Sequence, residues 1–423
     1  MLDRQISPKT NRINKIQIVE PDSMTLTNGI RVNIFRNDQQ QAVKIDLVFN
    51  SGTACQPAPL VANTTIRILK EGSGTFPGTK LISKIDFFGA YLSQNATKDE
   101  STITLLSLKK NIREVLPMLE SLIKEPSFSV KEFKMVRDIE KEEFIIQNEK
   151  PKNIARRAFN ELVFGKETPY GRMANAQDYD NLTIEQLKNF HINNYGSDNC
   201  SILLSGPIDE NIIEGIENHL GNSWNAPGQK SEFSQPSDFE NQTVYIKKEN
   251  ALQSAIQIGM PIMARTDPDY IPFLVLNTIF GGYFGSRLMN NIREDKGYTY
   301  GIHSQVTPLK KGTIFIISTE VGTDVTQNTI EEIKNEMKLL QINLVNNEEL
   351  NLVKSYLTGS YLRSLDGVYN QAEKFKSIMA WNLGMDYYEK SLLKIQEITA
   401  EELQLLAKKY LNFDAMTNVI VGA

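Results

Sequence analysis

The sequence predicts an α+β fold made of two homologous domains, each an antiparallel sheet with helices packed on one face. Three observations carry this. The segment LTIEQLKNFHINNYGSDNCSILLSG, Leu182 to Gly206, is matched by ITAEELQLLAKKYLNFDAMTNVIVG, Ile398 to Gly422, at an offset of 216 residues. Two more blocks keep nearly that offset: the strand–turn–helix run around Ser101–Ile123 returns at Thr313–Leu340, and Glu132 of SVKEFKMV returns as Glu349 of NNEELNLV. A repeat this long marks duplicated domains rather than a solenoid. Between the copies, Asn225–Phe239 (NAPGQKSEFSQPSDF) is rich in Pro, Ser, Gln and Gly and reads as a linker about which the halves hinge. The domains are therefore placed at residues 1–224 and 244–423, with 225–243 as linker.

In chain order, the first 20 residues are polar and read as an arm. Met24–Leu26 runs into Thr27-Asn28-Gly29, where Asn-Gly marks a hairpin turn, and Ile30–Phe35 is the returning strand. Val43–Phe49 is a third strand. Val61–Leu69 is a helix ended by Gly72-Ser73-Gly74, Ile82–Phe88 a shorter one, and strands follow near Ala90–Ser93 and Ser101–Ser107. Ile112, Val115, Leu116, Leu119, Leu122 and Ile123 hold the spacing of a buried helix face. Pro117 inside that run lacks the N–H of a helical residue and predicts a kink or a later start. Val130 to about Asn148 is a charged helix, and Ile154–Val163 another. Thr183–Tyr195 opens with a capping box of Thr183 and Gln186 and precedes the strand Ser201–Ser205. The second half starts with the strand Ala255–Met260 and the helix Tyr270–Phe280. A strand at Thr313–Thr319 and a helical stripe of Ile330, Ile333, Met337 and Leu340 follow, with further helices from Glu348 and Thr399.

Composition excludes several function classes. The chain has 423 residues, 40% hydrophobic and 23% charged, enough for two or three domains with ample core. A net charge of −5 gives no electrostatic reason to expect nucleic acid or an anionic membrane. Two cysteines, Cys55 and Cys200, make neither a disulfide framework nor a thiolate metal site and read as buried, inert thiols. The N-terminus has no apolar signal-peptide core and no run reaches membrane-spanning length, so the expectation is a soluble, cytoplasmic protein.

The stretch Gly281–Gly301, GGYFGSRLMNNIREDKGYTYG, is the densest in the chain. Gly281, Gly282 and Gly285 allow unusual backbone or close approach of another chain. Arg287 to Arg293 reads as a short helix that Gly297 ends as a left-handed residue. From Tyr298 the pattern alternates like a strand. Arg293 and Tyr300 thus flank a helix-to-strand joint, a planar cation beside a neutral hydroxyl. Together they can grip a peptide carbonyl, a carboxylate or a phosphate. The alternative is an arginine capping a helix end beside a half-buried tyrosine.

These motifs resemble the M16, or insulinase-like (pitrilysin), metallopeptidases, which include mitochondrial processing peptidase and the core subunits of the respiratory bc1 complex. The resemblance runs from Leu26-Thr27-Asn28-Gly29-Ile30-Arg31-Val32 to Gly422 and is strongest over Ser286–Gly301, SRLMNNIREDKGYTYG. It implies a half-clamshell of two domains. It also implies that Arg293 and Tyr300 reach across a closed chamber to a peptide bound at zinc. Catalytic members carry H-x-x-E-H on the first long helix. The matching run here, ANTTIRILKEGS, puts Asn63, Ile66 and Arg67 at the first histidine, the glutamate and the second histidine. Asn63 is a poor zinc ligand, Ile66 cannot move a proton, and Arg67 repels a metal ion.

Glu143 falls at the family's third ligand, and Glu140, Glu142 and Glu143 otherwise read as a solvated helix face. His191, His219 and His303 are too far apart in sequence for a local metal site. His191 reads as packing or surface. His303, three residues after Tyr300, falls on the opposite side of a regular strand. The resemblance therefore implies a non-catalytic subunit of a heterodimeric zinc peptidase acting on peptides. Such a subunit holds no metal of its own, and a homologous zinc-bearing partner supplies Zn and the general base. A homodimer stays open. The alternative is an inactive structural or peptide-binding homologue.

Overall fold

The computed structural model describes residues 18–222, 224 and 239–422, so the first 17 residues of the polar arm and all but the last residue of the Asn225–Phe239 segment lie outside the described residues. The first half contains strands β1 (Asp22–Thr25), β2 (Arg31–Arg36), β3 (Ala42–Phe49), β4 (Tyr91–Ala96), β5 (Ser101–Leu108) and β6 (Cys200–Gly206). The second contains β7 (Thr243–Lys247), β8 (Gln253–Ile262), β9 (Thr299–Thr307), β10 (Thr313–Gly322) and β11 (Thr417–Gly422). The sheet orders are β1-β2-β6-β3-β5-β4 and β7-β11-β8-β10-β9. Apart from the β1 hairpin strand the two orders correspond position by position. Both sheets are antiparallel except for one parallel pair each, β2 with β6 and β7 with β11.

Helices of the first half are α1 (Val61–Ile68), α2 (Lys80–Phe87), α3 (Ile112–Lys124), α4 (Val130–Asn148), α5 (Pro151–Phe164), α6 (Ala176–Asn181), α7 (Ile184–Asn194) and α8 (Glu210–Ile216). Those of the second are α9 (Tyr270–Asn277), α10 (Thr326–Ile342), α11 (Asn347–Leu365), α12 (Val368–Trp381), α13 (Tyr387–Glu397) and α14 (Ala400–Tyr410). The reciprocal capping boxes at Thr183/Gln186 and Thr399/Glu402 start equivalent helices in the two halves. α3 begins at Ile112 and continues through Pro117. Buried Val115, Leu116, Leu119 and Leu122 hold it to the core on both sides of the missing hydrogen bond.

Each sheet buries one face against helices of its own half, giving two separate cores. The opposite faces are covered by an exchange. α5, from the first half, packs on β8 and β11 of the second sheet through Ala155, Phe159, Val163 and Phe164, against Ala255, Ile314, Ile316, Val419 and Val421. α12, from the second half, packs on β2 and β6 of the first through Val368 and Ala372, against Phe35, Val48 and Leu203. Each is the helix that follows the long helix of its half, α4 or α11. The exchange corrects the free hinge read from the linker composition. Swinging the halves apart would expose both helix–sheet contacts to water, at about 25 cal/mol for every Å² of apolar surface uncovered.

Candidate functional site

The joint between Phe280 and Thr307 is built from two wide helical turns. Thr278–Gly282 and Met289–Asp295 are both π-helical, a form that concentrates at functional sites. Gly281 sits against β9: a Cβ there would lie 2.6 Å from Ser304 Oγ and 2.9 Å from its backbone nitrogen. Gly297 ends the second turn with φ +65°, the left-handed residue its position calls for.

β9 then carries an irregularity that sets the site. Ile302 pairs with Thr319 and Thr299 with Val321, so Tyr300 and Gly301 both oppose Glu320. This is a β-bulge. Hydroxyls pin it: Thr299 Oγ1 accepts from the Gly301 N–H (3.0 Å) and donates to the Glu320 carbonyl (2.7 Å), while Thr319 Oγ1 donates to the Gly301 carbonyl (3.0 Å). The extra residue turns Tyr300 away from the core that Ile302 enters, and Tyr300 is 94% exposed. It also corrects the expectation for His303. Opposite Ser318, His303 lies on the same outer face as Tyr300, and burial pushes its imidazole below the usual histidine range.

Arg293 meets Tyr300, as the sequence placed it. Its guanidinium lies 4.7 Å from the Phe284 ring centre and 5.9 Å from that of Tyr300, and Nη1 donates to Glu294 Oε1 at 2.8 Å. Phe284 is itself exposed. A cation held between two exposed rings is a preorganised donor, and such contacts are worth about 0.5–1 kcal/mol in exposed settings. Below Tyr300 the outer face of β8, β9 and β10 and the first turns of α5 enclose a cavity of about 900 Å³. Lys152, Asn153 and Arg156 enter it from the exchanged helix, and Gln257, His303, Gln305, Ser318 and Glu320 from the sheet.

The second region is the helix pair α1 and α4. Asn63 is exposed, and Ile66 is buried in the first core. Arg67 Nη1 reaches Glu140 Oε1 at 3.2 Å and Glu143 Oε2 at 3.6 Å, and Thr64 Oγ1 donates to Glu140 Oε2 at 2.9 Å. Glu140, read from sequence as part of a solvated face, is instead a half-buried, paired carboxylate. Burial raises its pKa, against the opposing effects of Thr64 and Arg67. Glu142 and Glu143 do face solvent. A zinc ion does not fit here: the carboxylates already hold a fixed cation, and Asn63 and Ile66 offer no ligand set. No group of three or more His, Cys, Asp or Glu side chains suited to a metal occurs among the described residues.

The remaining candidates are structural. His191 Nε2 bonds the Ile123 carbonyl at 2.9 Å and the ring stacks on Tyr195; burial lowers its pKa to about 4. His219 Nδ1 pairs with Glu120 at 2.6 Å. Cys200 is buried, which pushes its thiol pKa up; Cys55 is half-buried, and both are free.

Comparison with known proteins decides the family. Residues 31–174 match the family model described as insulinase (peptidase family M16), and residues 181–357 the one described as peptidase M16 inactive domain. The chain belongs to peptidase family M16. Among relatives, an uncharacterized zinc protease, YmxG, of Bacillus subtilis is 20% identical over 353 residues, covering 83% of this chain and 86% of its own. A Helicobacter pylori protein described as a non-peptidase homolog, also YmxG, is 20% identical over 374 residues, 86% of this chain and 84% of its own. The crystal structure of a peptidase M16 inactive domain from Pseudomonas fluorescens superposes with a TM-score of 0.86 at 24% identity, covering 96% of this chain and 98% of that one. Among the described residues no helix of this M16 chain is long and apolar enough to cross a membrane.

Proposed function

We propose that this chain is the substrate-gripping, non-catalytic subunit of a heterodimeric zinc metallopeptidase that acts on peptides. The observation that carries the reading is the pairing of Arg293 with an almost fully exposed Tyr300 at the mouth of a cavity, in a family member where the resemblance sets Asn63 and Arg67 at the two zinc histidines and Ile66 at the general base. A homologous partner would hold the zinc, which activates water and polarises the scissile carbonyl. The guanidinium N–H groups of Arg293 not bonded to Glu294, and the Tyr300 hydroxyl, would donate to the peptide backbone or to the developing oxyanion across the shared chamber. Removing one such donor typically lowers the rate by about 10²–10³. The test mixes the purified chain with the most similar zinc-motif homologue from the same source. Peptidase activity should appear only in the mixture and fall by about that factor with Arg293→Ala, at unchanged assembly. Full activity of the variant would refute the role.

A second reading, a proteolytically inactive structural or peptide-binding homologue, is favoured by the guanidinium seated on Glu140 and Glu143 and by the non-peptidase relative. A chain that forms no complex with any zinc-bearing homologue would support it.

A further inference from the structure

We propose that the cavity beneath Tyr300 recognises a carboxylate on the bound peptide, and that Arg156 of the exchanged helix α5 reads that charge. The proposal rests on the peptide-gripping reading and adds the chemistry of the ligand. The cavity, about 900 Å³, suits a short peptide segment rather than a single side chain. Its walls come from both halves of the chain. Of its charged residues, Lys152 has Nζ 3.9 Å from Glu320 Oε2, so these two largely offset each other. Arg156 also lines the cavity, is exposed, and has no carboxylate partner among the described residues. His303 lines the same wall, and desolvation lowers its pKa, which disfavours a second positive charge there. The uncompensated charge in the cavity is therefore the guanidinium of Arg156.

The neutral lining supports a peptide ligand. Ser318 Oγ donates to Gln257 Oε1 at 2.9 Å, which leaves the Gln257 amide N–H groups free to donate to a peptide carbonyl. Exposed Phe284 and Tyr300 at the mouth offer ring surface to the preceding residues. A guanidinium matches a carboxylate with two parallel hydrogen bonds, a geometry that a lysine ammonium cannot offer. The carboxylate has two sources, the peptide C-terminus or an Asp or Glu side chain.

The experiment measures fluorescence anisotropy of a fluorescein-labelled peptide of Gly, Ser and Ala with Phe next to last, titrated with the full chain. Three forms are compared: a free C-terminal carboxylate, a C-terminal amide, and the amide with Asp as the last residue. The free acid should bind about 10- to 100-fold more tightly than the plain amide, the range of a charge-assisted hydrogen bond. Arg156→Gln should erase that difference, and Lys338→Gln, the same charge change on α10, should keep it. Tight binding of the Asp amide supports the site with a side-chain carboxylate as its ligand; weak binding of it assigns the site to the C-terminus. Equal binding of acid and plain amide, discrimination that survives Arg156→Gln, or no binding of any form would overturn the proposal. Those failures leave the composite-enzyme reading to be judged by the activity of the mixed subunits and Arg293→Ala.

Discussion

Replacing Arg67 by methionine tests whether its guanidinium holds α1 to α4 through Glu140. The change keeps the aliphatic stem and removes the charge beside Glu140. The Glu140 side chain is 12% exposed and would keep only the Thr64 hydroxyl. Breaking a fully buried pair costs about 3–5 kcal/mol, and an exposed pair is worth about 0–1. Arg67 is itself 36% exposed, so solvent screening brings the expected loss at neutral pH to about 1–2 kcal/mol. The sign with pH discriminates. Burial already lifts the Glu140 pKa above its ordinary 4.5, and loss of Arg67 lifts it further. The folded variant then binds a proton that the unfolded chain releases, so its stability falls as pH rises from 4.5 into the raised folded range. Urea unfolding should therefore show a deficit that is largest at neutral pH and shrinks toward pH 4.5 as Glu140 is protonated. Adding Glu140→Gln to Arg67→Met should recover part of the loss. A deficit independent of pH, or none, would show that the guanidinium does not neutralise Glu140.

Three further outcomes follow from the same geometry. Phe159→Ala, in the buried contact of α5 with the second sheet, should cost about 3–5 kcal/mol in urea unfolding and open both halves to limited proteolysis. His191 has its pKa lowered from 6.5 to about 4, so the folded state binds fewer protons than the unfolded one. Stability should drop by up to about 3 kcal/mol as pH falls through that window, and His191→Gln should flatten this dependence. Gly281→Ala forces a Cβ onto Ser304 and should weaken peptide binding by shifting β9, read as a loss in the anisotropy assay with the fold retained by circular dichroism.

Much of the fold was legible because duplication writes the same signals twice. Thr183 and Thr399 head equivalent helices, and SILLSG and NVIVG form equivalent interior strands of the two sheets. The exchange of α5 and α12 was not read, although its trace is present. The runs LVF at 47–49, ILL at 202–204 and IFII at 314–317 are continuous in apolar residues, whereas strands of a sheet with one solvated face would alternate throughout. Both faces of each sheet therefore needed a cover, and the helices of one half did not supply it. Periodicity shows that a strand is buried on both sides; it does not name the segment that buries it.

The candidate site divides in the same way. The meeting of Arg293 with Tyr300 followed from local spacing, since a left-handed Gly297 between a helical turn and a strand leaves the chain little choice. The placement of His303 failed because one inserted residue reverses the strand's period. The signal for that bulge is chemical rather than periodic. Thr299, Gly301 and Thr319 supply the hydroxyls and the small residue that hold Tyr300 outward, and Thr319 lies on another strand. Glu140 was misread for a related reason: on its own helix it belongs to a charged run, and only the packing of α1 on α4 brings Arg67 and Thr64 to it. An arginine that looked like mere loss of a zinc ligand is, in the fold, the group that keeps Glu140 paired. That guanidinium is the cation that ties α1 to α4 through Glu140.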